Sequence, residues 1–87
     1  MEKNLLEKFE VSDFYLTAYL LCTGMDLLGT KKENSKKTIF ILRDIPSRQE
    51  LISKYFEGTA KIDPLKYKGK IIDLKSLLYN SEGLCQR

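Results

Sequence analysis

The run Phe14-Tyr15-Leu16-Thr17-Ala18-Tyr19-Leu20-Leu21-Cys22 holds one polar residue in nine. It is far short of the ~20 apolar residues that span a bilayer, and Asp13 and Asp26 bracket it closely. It therefore reads as an interior element. A helix that is apolar on nearly all sides must be covered on nearly all sides, so the rest of a short chain has to be arranged around it. Ser12 is placed to cap such a helix, and Asp13 in the first turn favours the positive end of its dipole. Gly24, just after Thr23, can take the left-handed conformation that ends a helix. A buried helix is expected from Asp13 to Thr23, with Tyr15 and Tyr19 in the core at i, i+4 spacing.

The flanking segments supply a sheet. Phe9 and Val11 alternate with Lys8, Glu10 and Ser12, which predicts a short strand with one buried face. Met25–Lys32 reads as a strand that begins apolar and ends charged. Glu33-Asn34-Ser35 has turn chemistry, with Asn34 tolerant of positive φ. Lys36–Arg43 is the clearest strand: four consecutive apolar residues, Ile39-Phe40-Ile41-Leu42, imply a central position covered on both faces. These two strands form a hairpin with lysines at its tip.

Two further helices follow. Ser47-Arg48-Gln49-Glu50 fits a capping box, and Leu51, Ile52, Tyr55 and Phe56 make one apolar stripe that Gly58 terminates. Thr59–Ile62 is long enough for a turn or a short edge strand. Asp63-Pro64 then opens a last helix, with Asp as cap and Pro at the first position. Tyr67, Ile71, Leu74 and Leu78 fall on one face, which Leu65 and Ile72 widen. Lys66, Lys68, Lys70, Asp73 and Lys75 take the other side. Gly69 inside this helix costs about 1 kcal/mol against Ala and marks a close contact or a break. Asn80-Ser81-Glu82-Gly83 is expected to end the ordered chain, with frayed residues beyond.

The 87 residues therefore predict one small α+β domain, 1–87, with an ordered core over roughly 8–80. Its order is strand, helix, β-hairpin, helix, short strand, helix, with the helices packed on an antiparallel or mixed sheet. Pairing of Thr59–Ile62 would give the ferredoxin-like order βαββαβ plus a helix.

Composition excludes several chemistries. There is no histidine, which removes Ser-His-Asp and Cys-His catalysis and every imidazole zinc site. Cys22 and Cys85 are too few for a four-thiolate centre. They are expected to stay reduced, as in a cytoplasm, with Cys22 a small buried hydrophobe. Asp26 and Asp44 flank strands and could meet around a magnesium ion, although nothing in their spacing brings them together. No catalytic constellation, cofactor, metal or small-molecule ligand is expected. Met1-Glu2-Lys3-Asn4 leads into only Leu5-Leu6, too short an apolar stretch for a signal peptide, so a soluble cytoplasmic protein is expected.

Charge is unevenly distributed within a net of +3. Residues 1–30 carry −3, residues 31–43 carry +4 and residues 61–75 carry +3. Lysines at a hairpin tip can reach phosphates, and a two-stranded ribbon can enter a DNA major groove. Lys31, Lys32, Lys36, Lys37 and Arg43 on the hairpin, with Lys66 and Lys70 on the last helix, are the candidate DNA- or RNA-contacting residues. Against this, lysine-rich turns commonly serve as solvated surface that protects a sheet edge. No strand carries the glycine-and-aromatic pattern of an RNA-recognition sheet, and Gly24 and Gly29 are isolated.

The segment from Ser12 to Gly24, followed by Leu27-Leu28-Gly29 and the Thr38–Leu42 strand, resembles a set of small prokaryotic and phage domains of unknown function. Asp63-Pro64 and Asp73-Leu74-Lys75-Ser76-Leu77-Leu78-Tyr79 share the resemblance, which covers roughly residues 9–80. It implies a bacterial, archaeal, phage or mobile-element setting and brings no activity to any residue. Two functional expectations follow. One is a non-enzymatic accessory module that contacts nucleic acid through the basic hairpin and basic helix. The other is a protein-interaction or homodimerisation module, in which a second copy covers a bare face of the apolar helix.

Overall fold

A computed structural model describes residues 7–86, with side chains described through Tyr79. Its elements are β1 (Lys8–Val11), α1 (Phe14–Cys22), β2 (Leu27–Asn34), β3 (Lys37–Arg43), α2 (Arg48–Glu57) and α3 (Pro64–Gln86). The fold is α+β, as the order of apolar patterns predicts. The strands form one antiparallel sheet in the order β1-β3-β2. Leu5, Leu6 and the side chain of Cys85 lie outside the described residues.

Helix α1 is the centre of the core. Leu16, Thr17, Ala18, Tyr19 and Leu20 are all buried, and they pack with Val11, Met25, Phe40, Leu42 and Leu74. The cap is Asp13, one residue later than Ser12: its Oδ1 accepts from the Leu16 amide at 3.1 Å. The one polar residue of the helix interior, Thr17, is fully buried and donates its hydroxyl to the Asp13 carbonyl at 2.7 Å, so the core carries no orphaned hydroxyl there. At the other end Gly24 has φ 109°. The Met25 amide donates to the Leu20 carbonyl and the Gly24 amide to Leu21, a Schellman closure that turns the chain into β2 and buries Met25. Tyr15 departs from expectation. It is 52% exposed, whereas Tyr19, one turn on, is buried against Tyr55.

The sheet presents two different faces. Val11 pairs with Phe40, and Phe9 with Leu42. Side chains alternate along a strand, so these four point to the helical layer, where Phe14 meets Phe40 with ring centroids 6.3 Å apart. The opposite face carries Ile39 and Ile41, which are half-buried. β3 is thus central but not covered by helices on both faces. Its outer isoleucines are shielded by long side chains instead: Lys31 on β2 reaches Glu10 on β1 at 3.2 Å, across the intervening strand. At the hairpin turn Asn34 accepts the Lys36 amide at 2.8 Å. Among the described residues no non-glycine residue takes positive φ, so Asn34 works through its side chain, not through backbone tolerance.

Helix α2 starts as expected but without a capping box. Ser47 makes no side-chain cap bond, and Glu50 pairs with Lys54 at 3.6 Å. Phe56 is 68% exposed, off the Leu51–Ile52–Tyr55 stripe. Gly58, at φ 81°, closes the helix. Thr59–Ile62 forms no strand, which excludes the four-stranded ferredoxin-like order. Ala60 and Ile62 instead pack as connector residues against the core. In α3 Asp63 accepts the Leu65 amide at 3.0 Å, and the helix runs without interruption through Gly69 and past Asn80 to Gln86.

The glycines at 24 and 69 should therefore respond oppositely to the same substitution. Gly24→Ala forces a side chain into a left-handed conformation and should cost about 1–2 kcal/mol. Gly69 has nothing within 4 Å of a would-be Cβ, so Gly69→Ala should stabilise the dilute protein by about 0.5–1 kcal/mol. Urea unfolding of both variants checks the signs.

Candidate functional site

The hairpin cations are largely compensated where they stand. Lys31 pairs with Glu10, Lys37 with Glu33 at 3.5 Å, and Arg43 with Asp26 at 3.7 Å. The Arg43 Nε is buried without a hydrogen-bond partner, since 3.7 Å is too long for one, but the carboxylate still balances its charge. Each pair is half-exposed and adds little to stability. Their effect is to lower the net positive potential of the ribbon. Lys32 is also engaged by a neighbour, and Lys36 is exposed at the tip.

The basic residues of α3 do not join that ribbon. Lys31 lies on the outer sheet face, whereas α3 packs on α1 in the helical layer. Lys66 and Lys70 act electrostatically on Cys22, the last residue of α1. Cys22 is half-buried, less enclosed than its apolar setting predicts. Burial pushes its thiol above the ordinary range, while the fields of Lys70 and Lys66 act in the opposite direction. Tyr67, on the same turn, donates its hydroxyl to the Tyr15 carbonyl at 3.3 Å and ties α3 to α1.

The outer face of α3 carries a feature that the charge pattern conceals. Leu65, Ile72 and Tyr79 recur at i, i+7, i+14 and are 75%, 51% and 78% exposed. Leu65 and Ile72 therefore do not widen the core face. That face consists of Tyr67, Ile71, Leu74 and Leu78, and a seven-residue spacing keeps the three exposed side chains on a separate stripe. Gly69 and Ser76 lie between them on the same side. The small residue at 69 leaves a shallow place in the helix surface, with no described atom within 4 Å of where a Cβ would stand. Lys68, Asp73 and Lys75 border the stripe and are exposed. The readable signal was the heptad recurrence of large apolar residues outside the i, i+4, i+7 set.

A third cluster joins β1 to α2. Asp44 accepts from Arg48 Nε at 3.1 Å and from its terminal nitrogen at 3.2 Å, and also takes the Ile45 amide at 2.9 Å. The Arg48 guanidinium lies 4.2 Å over the Phe9 ring. Hydrogen bonding from Arg48, above all, holds the Asp44 carboxyl below the usual carboxylate range. With Glu7, Ile45, Pro46 and Gln49 these residues line an open cleft, in which Asp44 and Arg48 are paired with each other. Asp26 and Asp44 each go to an arginine and do not meet, and the described residues contain no group of three metal-ligating side chains. No described helix is long and apolar enough to cross a membrane.

Asp44 is ionised in the fold at a lower pH than in the unfolded chain. Its stabilisation is therefore complete above the ordinary carboxylate range and is lost as pH falls through the depressed folded value. Arg48→Ala should cost about 1–2 kcal/mol at neutral pH through the lost bidentate pair and ring contact. The gap between wild type and variant should narrow on acidification, as urea titrations at neutral and acidic pH would read.

No curated protein and no solved structure matches the chain. A family model described as Domain of unknown function (DUF5659) matches residues 7–80, a span that takes in α1 with both caps, the whole sheet and the described side chains of α3. The chain belongs to the DUF5659 family of domains of unknown function.

Proposed function

We propose that this domain is a non-enzymatic protein-interaction module that docks through the outer face of α3. One observation carries the reading: three large apolar side chains, Leu65, Ile72 and Tyr79, stand exposed in line on one helix. Isolated exposed apolar residues are ordinary, but aligned ones on a helix are the usual anchor pattern of helix-to-helix recognition. α1 is not the bare element, since Leu16–Leu20 are buried in sequence, so the unpartnered surface belongs to α3.

Nucleic-acid contact through Lys31, Lys32, Lys36, Lys37, Arg43, Lys66 and Lys70 ranks second. Three of the five hairpin cations, Lys31, Lys37 and Arg43, are paired with carboxylates, and the two basic groups lie on different layers. The cytoplasmic setting and the prokaryotic or phage origin belong to the same proposal. They rest on the thiol at Cys22, held in the fold without a disulfide, and on the sequence resemblance.

The test is site-specific photo-crosslinking in cells that naturally encode the protein, with the photoreactive residue at 72 or 79 and a control at exposed Ser53. Protein adducts from 72 and 79 but not from 53 are expected. Equal labelling at all three, or none at 72 and 79, refutes the reading. Binding to labelled DNA or RNA that weakens steeply with added salt would favour the second reading instead.

A further inference from the structure

The interaction reading leaves the occupant of the α3 face open, and on that reading we propose that it is the α3 helix of a second copy, packed parallel. Three observations on this face converge. In heptad terms Leu65, Ile72 and Tyr79 occupy one core position and Gly69 and Ser76 the other, so the stripe is a seam of alternating large and small residues. Large residues of one copy can then enter the gaps at the small residues of the other, as knobs enter holes.

Gly69 supplies an independent reason for close approach. It sits inside a helix without positive φ, and nothing lies within 4 Å of its would-be Cβ. Neither backbone geometry nor packing within the domain requires glycine there, yet it costs about 1 kcal/mol against Ala. A neighbouring helix that must come near at this point does require it.

Charge selects the direction. Lys68 and Lys75 flank the seam on one side, and Asp73 on the other. In a parallel pair, a flanking residue faces the residue five positions further along the partner. Lys68 then faces Asp73 of the second copy, and two-fold symmetry makes that contact twice. An antiparallel pair centred on Ile72 would instead set Lys68 against Lys75 and gather four lysines. None of these three side chains has an ion-pair partner within the described domain. Lys68 and Asp73 are also too far apart along one helix to pair with each other. Three anchors per copy bury well under the ~800 Å² per partner of a standard interface, so the pair is weak and forms as concentration rises.

Sedimentation equilibrium of the full chain over about 0.01–1 mM, at low salt, tests this. Wild type should pass reversibly from monomer to dimer. Ile72→Glu should abolish dimerisation, and Gly69→Gln, a good helix former with a bulky polar side chain, should weaken it at least about tenfold. Lys68→Asp and Asp73→Lys should each weaken it about three- to tenfold, with unchanged circular dichroism. Mixing these two single variants should restore dimerisation to within about twofold of wild type, because the mixed pair regains both opposite-charge contacts. A monomer at every concentration, a dimer indifferent to Ile72→Glu, or a mixture no better than its components overturns the proposal. A monomer whose residue 72 still crosslinks to a different protein would leave the interaction reading standing and remove only the second copy.

Discussion

Every other element is placed by the need to cover α1. Five consecutive buried residues leave that helix no solvent-facing side over its middle, so it requires the sheet beneath it and two helices beside it. Both ends of the helix are closed locally, by the Asp13 side chain and by the left-handed Gly24. That closure matters because the ends of a buried helix would otherwise carry unsatisfied amides and carbonyls into the core. The Schellman closure also sets the exit direction, which puts Met25 into the core and delivers the chain into the edge strand β2. One helix thus fixes the polarity of the hairpin and the face on which Phe40 and Leu42 must lie.

This central part was legible in the sequence because its signals are local and redundant. The run of apolar residues, the polar Ser12-Asp13 start and the glycine stop agree with one another, and β3 has an apolar core too long to be an edge. Where signals were single, tertiary structure decided. Ser12 and Asp13 are both good caps, and the geometry of the chain leaving β1 chose the second. Ser47 and Glu50 match a capping box, but Arg48 offers Asp44 a bidentate pair and Lys54 offers Glu50 an ion pair, so the box is outcompeted. Thr59–Ile62 had the length of a strand but joins neither edge of the sheet, and Ala60 and Ile62 pack against the core instead. The outer face of β3 shows the limit of reading burial from hydrophobicity. Ile39 and Ile41 are half-buried without any helix over them, because a lysine and a glutamate bridge across the strand.

The outer stripe of α3 is hidden in the sequence for a different reason. The helix has two apolar stripes, one spaced for the core and one spaced by heptads, and superposing them makes the helix look merely broad-faced. Ile72 is adjacent to Ile71, so it reads as part of the core face until Tyr67, Ile71, Leu74 and Leu78 are seen to hold that face without it. The lysines then draw attention to charge, although Lys68 and Lys75 border an apolar seam and Lys66 and Lys70 belong to the neighbourhood of Cys22.

The two surfaces contrast in how their charges are used. On the outer sheet face, Glu10, Glu33 and Asp26 meet Lys31, Lys37 and Arg43 within one chain. Such pairs hold long side chains over the isoleucines and keep the edge strand from joining a foreign sheet. They leave fewer cations for a phosphate, since a nucleic acid would have to displace a carboxylate at Lys31, Lys37 and Arg43. On the outer face of α3 the opposite holds: Lys68, Asp73 and Lys75 have no ion-pair partner among the described residues and stand around exposed apolar groups. Unsatisfied hydrophobic area combined with unspent charge is the condition under which association gains free energy on both counts. A surface most of whose cations already face carboxylates gains less on both counts, and this contrast is what ranks the proposed docking face on α3 above the basic ribbon.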